Sequence, residues 1–96
     1  MEETTGVEAI AAKVTGRVQG VGYRYTAAHT AERLGLLGWV RNASDGSVEV
    51  RAQGDAGVLE QFIVFLKQGP RAARVRSVDV HPVEPNPTLS GFTVRF

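Results

Sequence analysis

Short runs of alternating apolar and polar residues, interrupted by two stretches of helical period, outline this chain. Beginning at Glu8, Ile10, Ala12 and Val14 alternate with Ala11, Lys13 and Thr15, as in a strand buried on one face. The spacing then changes. Tyr23, Ala27, Ala31 and Leu34 recur at intervals of four, four and three, which predicts a helix over 24–34 that Gly35 stops. Leu36 to Asn42 is apolar around Trp39 and Val40 and predicts a second strand. Ala43-Ser44-Asp45-Gly46 is a hairpin connection, with Asp45-Gly46 as its turn signal. Val48, Val50 and Ala52 alternate with Glu49, Arg51 and Gln53 in a third strand with one face in water. Asp55 is placed to cap a second helix, whose Leu59, Phe62, Ile63 and Leu66 form one apolar stripe ending at Gly69-Pro70. Val78 and Val80 alternate with Ser77, Asp79 and His81 in a fourth strand, which Pro82, Pro85 and Pro87 break into a loop. Phe92, Val94 and Phe96 alternate in a short last strand. Residues 1–7 are polar and are expected to be a flexible tail before a single domain over 8–96.

Strand, helix, strand, strand, helix, strand is an α+β order in which two βα crossovers flank a hairpin. That is the ferredoxin-like split βαβ (βαββαβ) sandwich. Right-handed crossovers put both helices on one face of an antiparallel sheet and leave the other face wet, with the short terminal strand added to it. Trp39 and the four phenylalanines are expected in the core.

Composition narrows the partners. A chain of 96 residues supports one domain, and 11 basic against 10 acidic residues leave a net charge of +1, which gives no ground for general polyanion binding. Without cysteine there is no disulfide, thiolate nucleophile or thiolate ligand, and the redox compartment stays open. The apolar runs are too short to span a bilayer, and Met1-Glu2-Glu3 lacks the basic region of a secretory signal. The expectation is a cytoplasmic monomer with no cofactor, no nucleic acid and no membrane partner. In that setting the sequon Asn42-Ala43-Ser44 is a chance match.

The candidate chemistry lies between the first strand and the first helix, in Gly16-Arg17-Val18-Gln19-Gly20-Val21-Gly22-Tyr23-Arg24. Gly20 and Gly22 let backbone N–H groups converge where no Cβ stands in the way. The helix start adds unpaired N–H groups and the positive end of its dipole. A cation in the first turn, Arg24, is disfavoured by about 0.3–1 kcal/mol, and an anion held between loop and guanidinium reverses that. A tight turn with a solvated arginine fits the spacing equally well. The loop is neither a Walker A nor a Gly-x-Gly-x-x-Gly fingerprint. Asn42, at the end of the second strand, is a second candidate, although asparagine before a turn also serves turn chemistry alone.

Gly16 to Arg24 followed by Gly35-Leu36-Leu37-Gly38-Trp39-Val40-Arg41-Asn42 and Asp45-Gly46-Ser47-Val48 resembles acylphosphatase. The likeness continues through Gln53-Gly54, Phe62, Leu66, Gly69-Pro70-Arg71-Ala72-Ala73-Arg74-Val75 and Gly91-Phe92, and so covers roughly residues 9–96. Gly22 stands at a position this family leaves variable, and Tyr23 where phenylalanine is commoner. The resemblance implies a ferredoxin-like sandwich that hydrolyses acyl phosphates to a carboxylate and inorganic phosphate without a metal. It implies Arg24 as the phosphate-binding arginine and Asn42 as the residue that orients water. Gln19, Gly20, Val21, Gly22 and Tyr23 would form the loop whose amides cradle the phosphate. The residue types suit that chemistry. An acyl phosphate carries a good leaving group, so the protein needs to hold the phosphoryl group, spread its charge and aim a water.

Other side chains have plainer explanations. His29 and His81 sit on different elements without a carboxylate at ligand spacing, which argues against a metal site. Asp45, Asp55 and Asp79 read as turn, cap and solvent-face residues, and Ser44 and Ser47 have no base beside them. Arg71, Arg74 and Arg76 read as solvated surface. The competing function is a non-catalytic module of the same fold that binds RNA on its open sheet or a small anion such as carbamoyl phosphate. No aromatic stacking pair on the first and third strands supports the RNA version.

Overall fold

In the computed structural model, which describes residues 7–96, the chain runs β1 (Val7–Arg17), α1 (Tyr23–Arg33), β2 (Leu37–Asn42), β3 (Val48–Asp55), α2 (Ala56–Gln68), β4 (Arg74–Val83) and β5 (Phe92–Arg95). β1 starts at Val7, one residue before the expected strand, and the rest of the expected tail lies outside the described residues.

The strands form one sheet in the order β4-β1-β3-β2-β5. β1 is antiparallel to β3 and β4, and β2 is antiparallel to β3. β5 enters parallel to β2, so the sheet expected to be antiparallel is mixed. The cause is the proline-rich connection after β4. It carries the chain from one edge of the sheet to the other, and a crossover of that kind permits parallel entry. Gln53, near the end of β3, pins that connection. Its Nε2 donates to the Asn86 carbonyl at 3.0 Å, and its Oε1 accepts from the Asn86 N–H at 2.8 Å.

Both helices cover one face of the sheet and touch each other. Ala12 and Val14 of β1, Val40 of β2, and Val48, Val50 and Ala52 of β3 bury against Tyr23, Ala27 and Ala31 of α1 and Leu59, Phe62 and Leu66 of α2. Ile63, expected in that stripe, is only half-buried. Phe65 takes a place beside the core instead, its ring 6.3 Å from that of Tyr23, because α2 packs against α1 as well as the sheet. Asp55 caps α2 as expected, its carboxylate accepting from the Gly57 and Val58 N–H groups. β1 and β4 each end two residues later than the alternation suggests, and Pro82 lies inside β4, paired with Ile10. β4 is an edge strand, where a missing N–H costs no ladder bond.

The aromatic expectation needs correction. Phe62 is fully buried, but Phe96 is 90% exposed and Trp39 is half-exposed on the open face of the sheet. Val40 of β2 points to the helices, so strand alternation sends its neighbour Trp39 to the other side.

Candidate active site

The turn from β1 to α1 is built on two left-handed residues, Gly20 at φ 74° and Gly22 at φ 80°. Any side chain at these angles is strained by about 1–2 kcal/mol, although a Cβ at either position would meet nothing within 4 Å. Val18 anchors the loop in the core. Gly22 is the N-cap of α1 and offers no side chain to the first-turn donors, and no acidic residue stands in that turn. Among the described residues, none of the backbone N–H groups from Gly20 to Tyr25 has an acceptor. Unclaimed donors at the positive end of a helix suit an anion.

A cavity of about 170 Å³ opens here, lined by Val18, Gly20, Gly22, Tyr23, Arg24, Tyr25 and Asn42. Asn42 shares the helix-facing side of β2 with Val40, and this brings it to the loop. Its Oδ1 is buried without a hydrogen-bond partner among the described residues. A buried acceptor left unmade costs about 1–3 kcal/mol, which a ligand or a bound water would recover.

Arg24 is held from behind. Its Nη1 donates to the Arg95 carbonyl at 2.9 Å, and its guanidinium lies 4.6 Å from the centre of the Phe96 ring. The end of β5 therefore sets the aim of a side chain 71 residues earlier. No local pattern signals that contact. Tyr25 was also missed, although its place directly after Arg24 in the first turn of α1 could have marked it.

The structure thus brings Gly20, Gly22, Tyr23, Arg24 and Asn42 to one cavity. It does not bring Gln19 or Val21 to the cavity wall. The Gln19 amide reaches across to the β2–β3 hairpin instead, where Nε2 donates to the carbonyls of Ala43 and Ser47 at 2.8 and 2.9 Å. Tyr23 contributes its place in the loop, while its ring is buried and its hydroxyl donates to the Leu66 carbonyl at 2.7 Å. Burial pushes that phenol above its ordinary pKa, so it stays protonated. His29 and His81 are exposed on α1 and β4, away from the cavity.

Fold and cavity together define a ferredoxin-like α+β domain with a small cavity, lined by unclaimed backbone donors, at its first strand-to-helix turn. The family model for acylphosphatase matches residues 10–94. The acylphosphatase of Koribacter versatilis is 52% identical over 81 residues, covering 84% of this chain and 74% of that protein. The acylphosphatase of Salinibacter ruber is 46% identical over 93 residues, 97% of this chain and 98% of its relative. Among solved structures, an acylphosphatase from Coxiella burnetii superposes with a TM-score of 0.89 at 36% identity, over 94% of each chain. The chain belongs to the acylphosphatase family.

Proposed function

We propose that the chain hydrolyses acyl phosphates to a carboxylate and inorganic phosphate, with the 19–24 loop and Arg24 holding the phosphoryl group and Asn42 orienting the attacking water. One observation carries this reading: unclaimed backbone donors, a guanidinium and a buried acceptor without a partner share a single small cavity. Donors suit phosphoryl oxygens, which carry the charge, and the guanidinium offers them a planar fork. The spare acceptor suits water, which arrives with hydrogens to donate.

Neither a carboxylate nor a histidine lines the cavity among the described residues. The proton of the attacking water then passes to the substrate's own phosphate, and catalysis rests on positioning and charge stabilisation. Within this scheme Gln19 acts through its backbone position, its amide being spent on the hairpin.

Benzoyl phosphate hydrolysis in excess EDTA tests the assignment. Wild-type turnover is expected to be unaffected by the chelator, and loss of activity would overturn the metal-free scheme. Arg24→Ala should lose about 1.5–3 kcal/mol of charged hydrogen bonding and weaken inhibition by inorganic phosphate. Asn42→Ala should lower kcat by about 10²–10³ while phosphate still binds. Full turnover in Asn42→Ala would remove that residue from the mechanism. Phosphate binding without turnover in the wild type would favour a small-anion binding module.

A further inference from the structure

We propose that the open face of the sheet is a binding surface for single-stranded nucleic acid, with Trp39 and the guanidiniums around it as its contacts. A groove of about 450 Å³ crosses this face, away from the helices and from the cavity at the loop. Strand register sets its floor and walls. Trp39 pairs with Arg51, Arg51 with Ala11, and Ala11 with His81, so these four stand in a row across β2, β3, β1 and β4. Ala11 is the low point of that row, between longer side chains.

The charge here is not what the whole chain suggests. The net charge is only +1, yet the guanidiniums of Arg41, Arg51 and Arg95 lie 5.3, 5.7 and 4.6 Å from the centre of one indole ring. Arg41 and Arg95 are also direct partners in the parallel β2–β5 register, a pairing of like charges that destabilises a sheet. Glu49 answers Arg41, whose Nε and Nη2 both reach its Oε1 at 2.7 Å. No carboxylate among the described residues pairs with Arg51 or Arg95. The attraction of an indole for an exposed cation, about 0.5–1 kcal/mol each, offsets only part of that crowding. An anionic partner would offset the rest.

The kind of anion follows from the geometry. Glu49 engages the Arg41 fork, while the N–H groups of Arg51 and Arg95 have no side-chain or carbonyl acceptor among the described residues and stand available beside the indole. Nucleic-acid bases stack on aromatic and guanidinium planes, and phosphates accept the forks bidentately. An acidic polypeptide supplies charge but nothing flat to lie on the planes. The expectation of no nucleic-acid partner rested on bulk charge and on the lack of an aromatic pair on the first and third strands, and neither registers Trp39 of β2 or where the charges gather.

Trp39 is the single tryptophan, so its fluorescence reports on this face directly. Titration of the whole chain with a short oligouridylate should quench it, with an apparent affinity that falls as salt is added. Arg51→Glu should weaken binding about tenfold or more, the equivalent of one charged hydrogen bond, with acyl phosphate turnover unchanged. Arg24→Ala should leave the quenching intact, which separates this surface from the loop and makes its fate independent of the proposed catalysis. Absence of quenching, or equal binding by Arg51→Glu, would overturn the proposal. So would quenching by polyglutamate at matched charge, which would assign the face to an acidic polypeptide, or loss of quenching in Arg24→Ala, which would assign it to the loop.

Discussion

Two amide side chains near the cavity stand in opposite states. Asn42 carries a buried oxygen with nothing to accept, while Gln19 spends its N–H groups on two carbonyls of the neighbouring hairpin. Gln19 directly precedes Gly20, and Ala43 directly follows Asn42. The bond from Gln19 to the Ala43 carbonyl therefore sets the distance between the cradle and the buried acceptor. Misplacing a positioned group by about 1 Å costs as much as 10²-fold in rate, so under the proposed scheme the tie affects turnover as well as folding. Gln19→Ala is expected to lower kcat for benzoyl phosphate at least tenfold, with little change in phosphate inhibition, and to cost about 1–3 kcal/mol in denaturant unfolding. Gln19→Glu should fail equally, because a carboxylate has no hydrogen to give two carbonyls. Full activity in Gln19→Glu would show that the side chain only fills space.

At the scale of elements, the site is a joint between α1 and its neighbours. The first turn of α1 supplies the cradle, the end of β5 aims Arg24, and the buried Tyr23 fastens the same turn to the last turn of α2. The Leu66 carbonyl is one of those a helix end leaves without an internal partner, and the Tyr23 hydroxyl satisfies it. Tyr23→Phe keeps the ring and removes that donor. It should lower stability by about 1–3 kcal/mol in urea unfolding and leave kcat and KM unchanged. A marked fall in kcat would place the hydroxyl in the chemistry instead. Gly22→Ala tests the backbone itself. It should cost about 1–2 kcal/mol and weaken phosphate inhibition, because the cradle depends on a left-handed residue at the cap.

At the scale of the whole molecule, the interior strand β1 is tied to the β2–β3 hairpin on the wet face. Lys13 meets Asp45 at 2.8 Å, and Ser47 donates to the same carboxylate through its N–H at 3.0 Å and its hydroxyl at 2.6 Å. The hydrogen bond from Lys13, then those from Ser47, hold the Asp45 carboxyl well below its ordinary value of 3.8. The same pair raises Lys13 above 10.5. In the unfolded chain Asp45 regains its ordinary value, so folding favours its charged form. Its contribution is complete above that value and is lost as pH falls through the depressed folded value. Both groups are exposed, so the effect is modest and weakens with salt. Thermal unfolding should show Asp45→Asn losing less stability than wild type between neutral pH and about pH 3. An identical acid-side loss in both proteins would remove this carboxylate from the acid response.

Much of this architecture is written locally. Alternation located the strands, Asp55 announced the cap of α2, and Gly20 and Gly22 marked the cradle, because each depends on neighbours a few residues away. Trp39 shows how a correct local signal can be overruled. Period-two alternation already sets it opposite Val40, and only the general habit of burying tryptophan argued for the core. The open face became legible once β5 and β3 delivered arginines to either side of it. Arg24's support at Arg95, Gln19's reach to Ala43 and the parallel entry of β5 had no such signal. Side-chain periodicity and turn chemistry act over a turn or a strand, and they settle which segments form and which faces are apolar. The contacts that aim a guanidinium or gather three cations join segments far apart in the chain, and they exist only after the sheet has chosen its order.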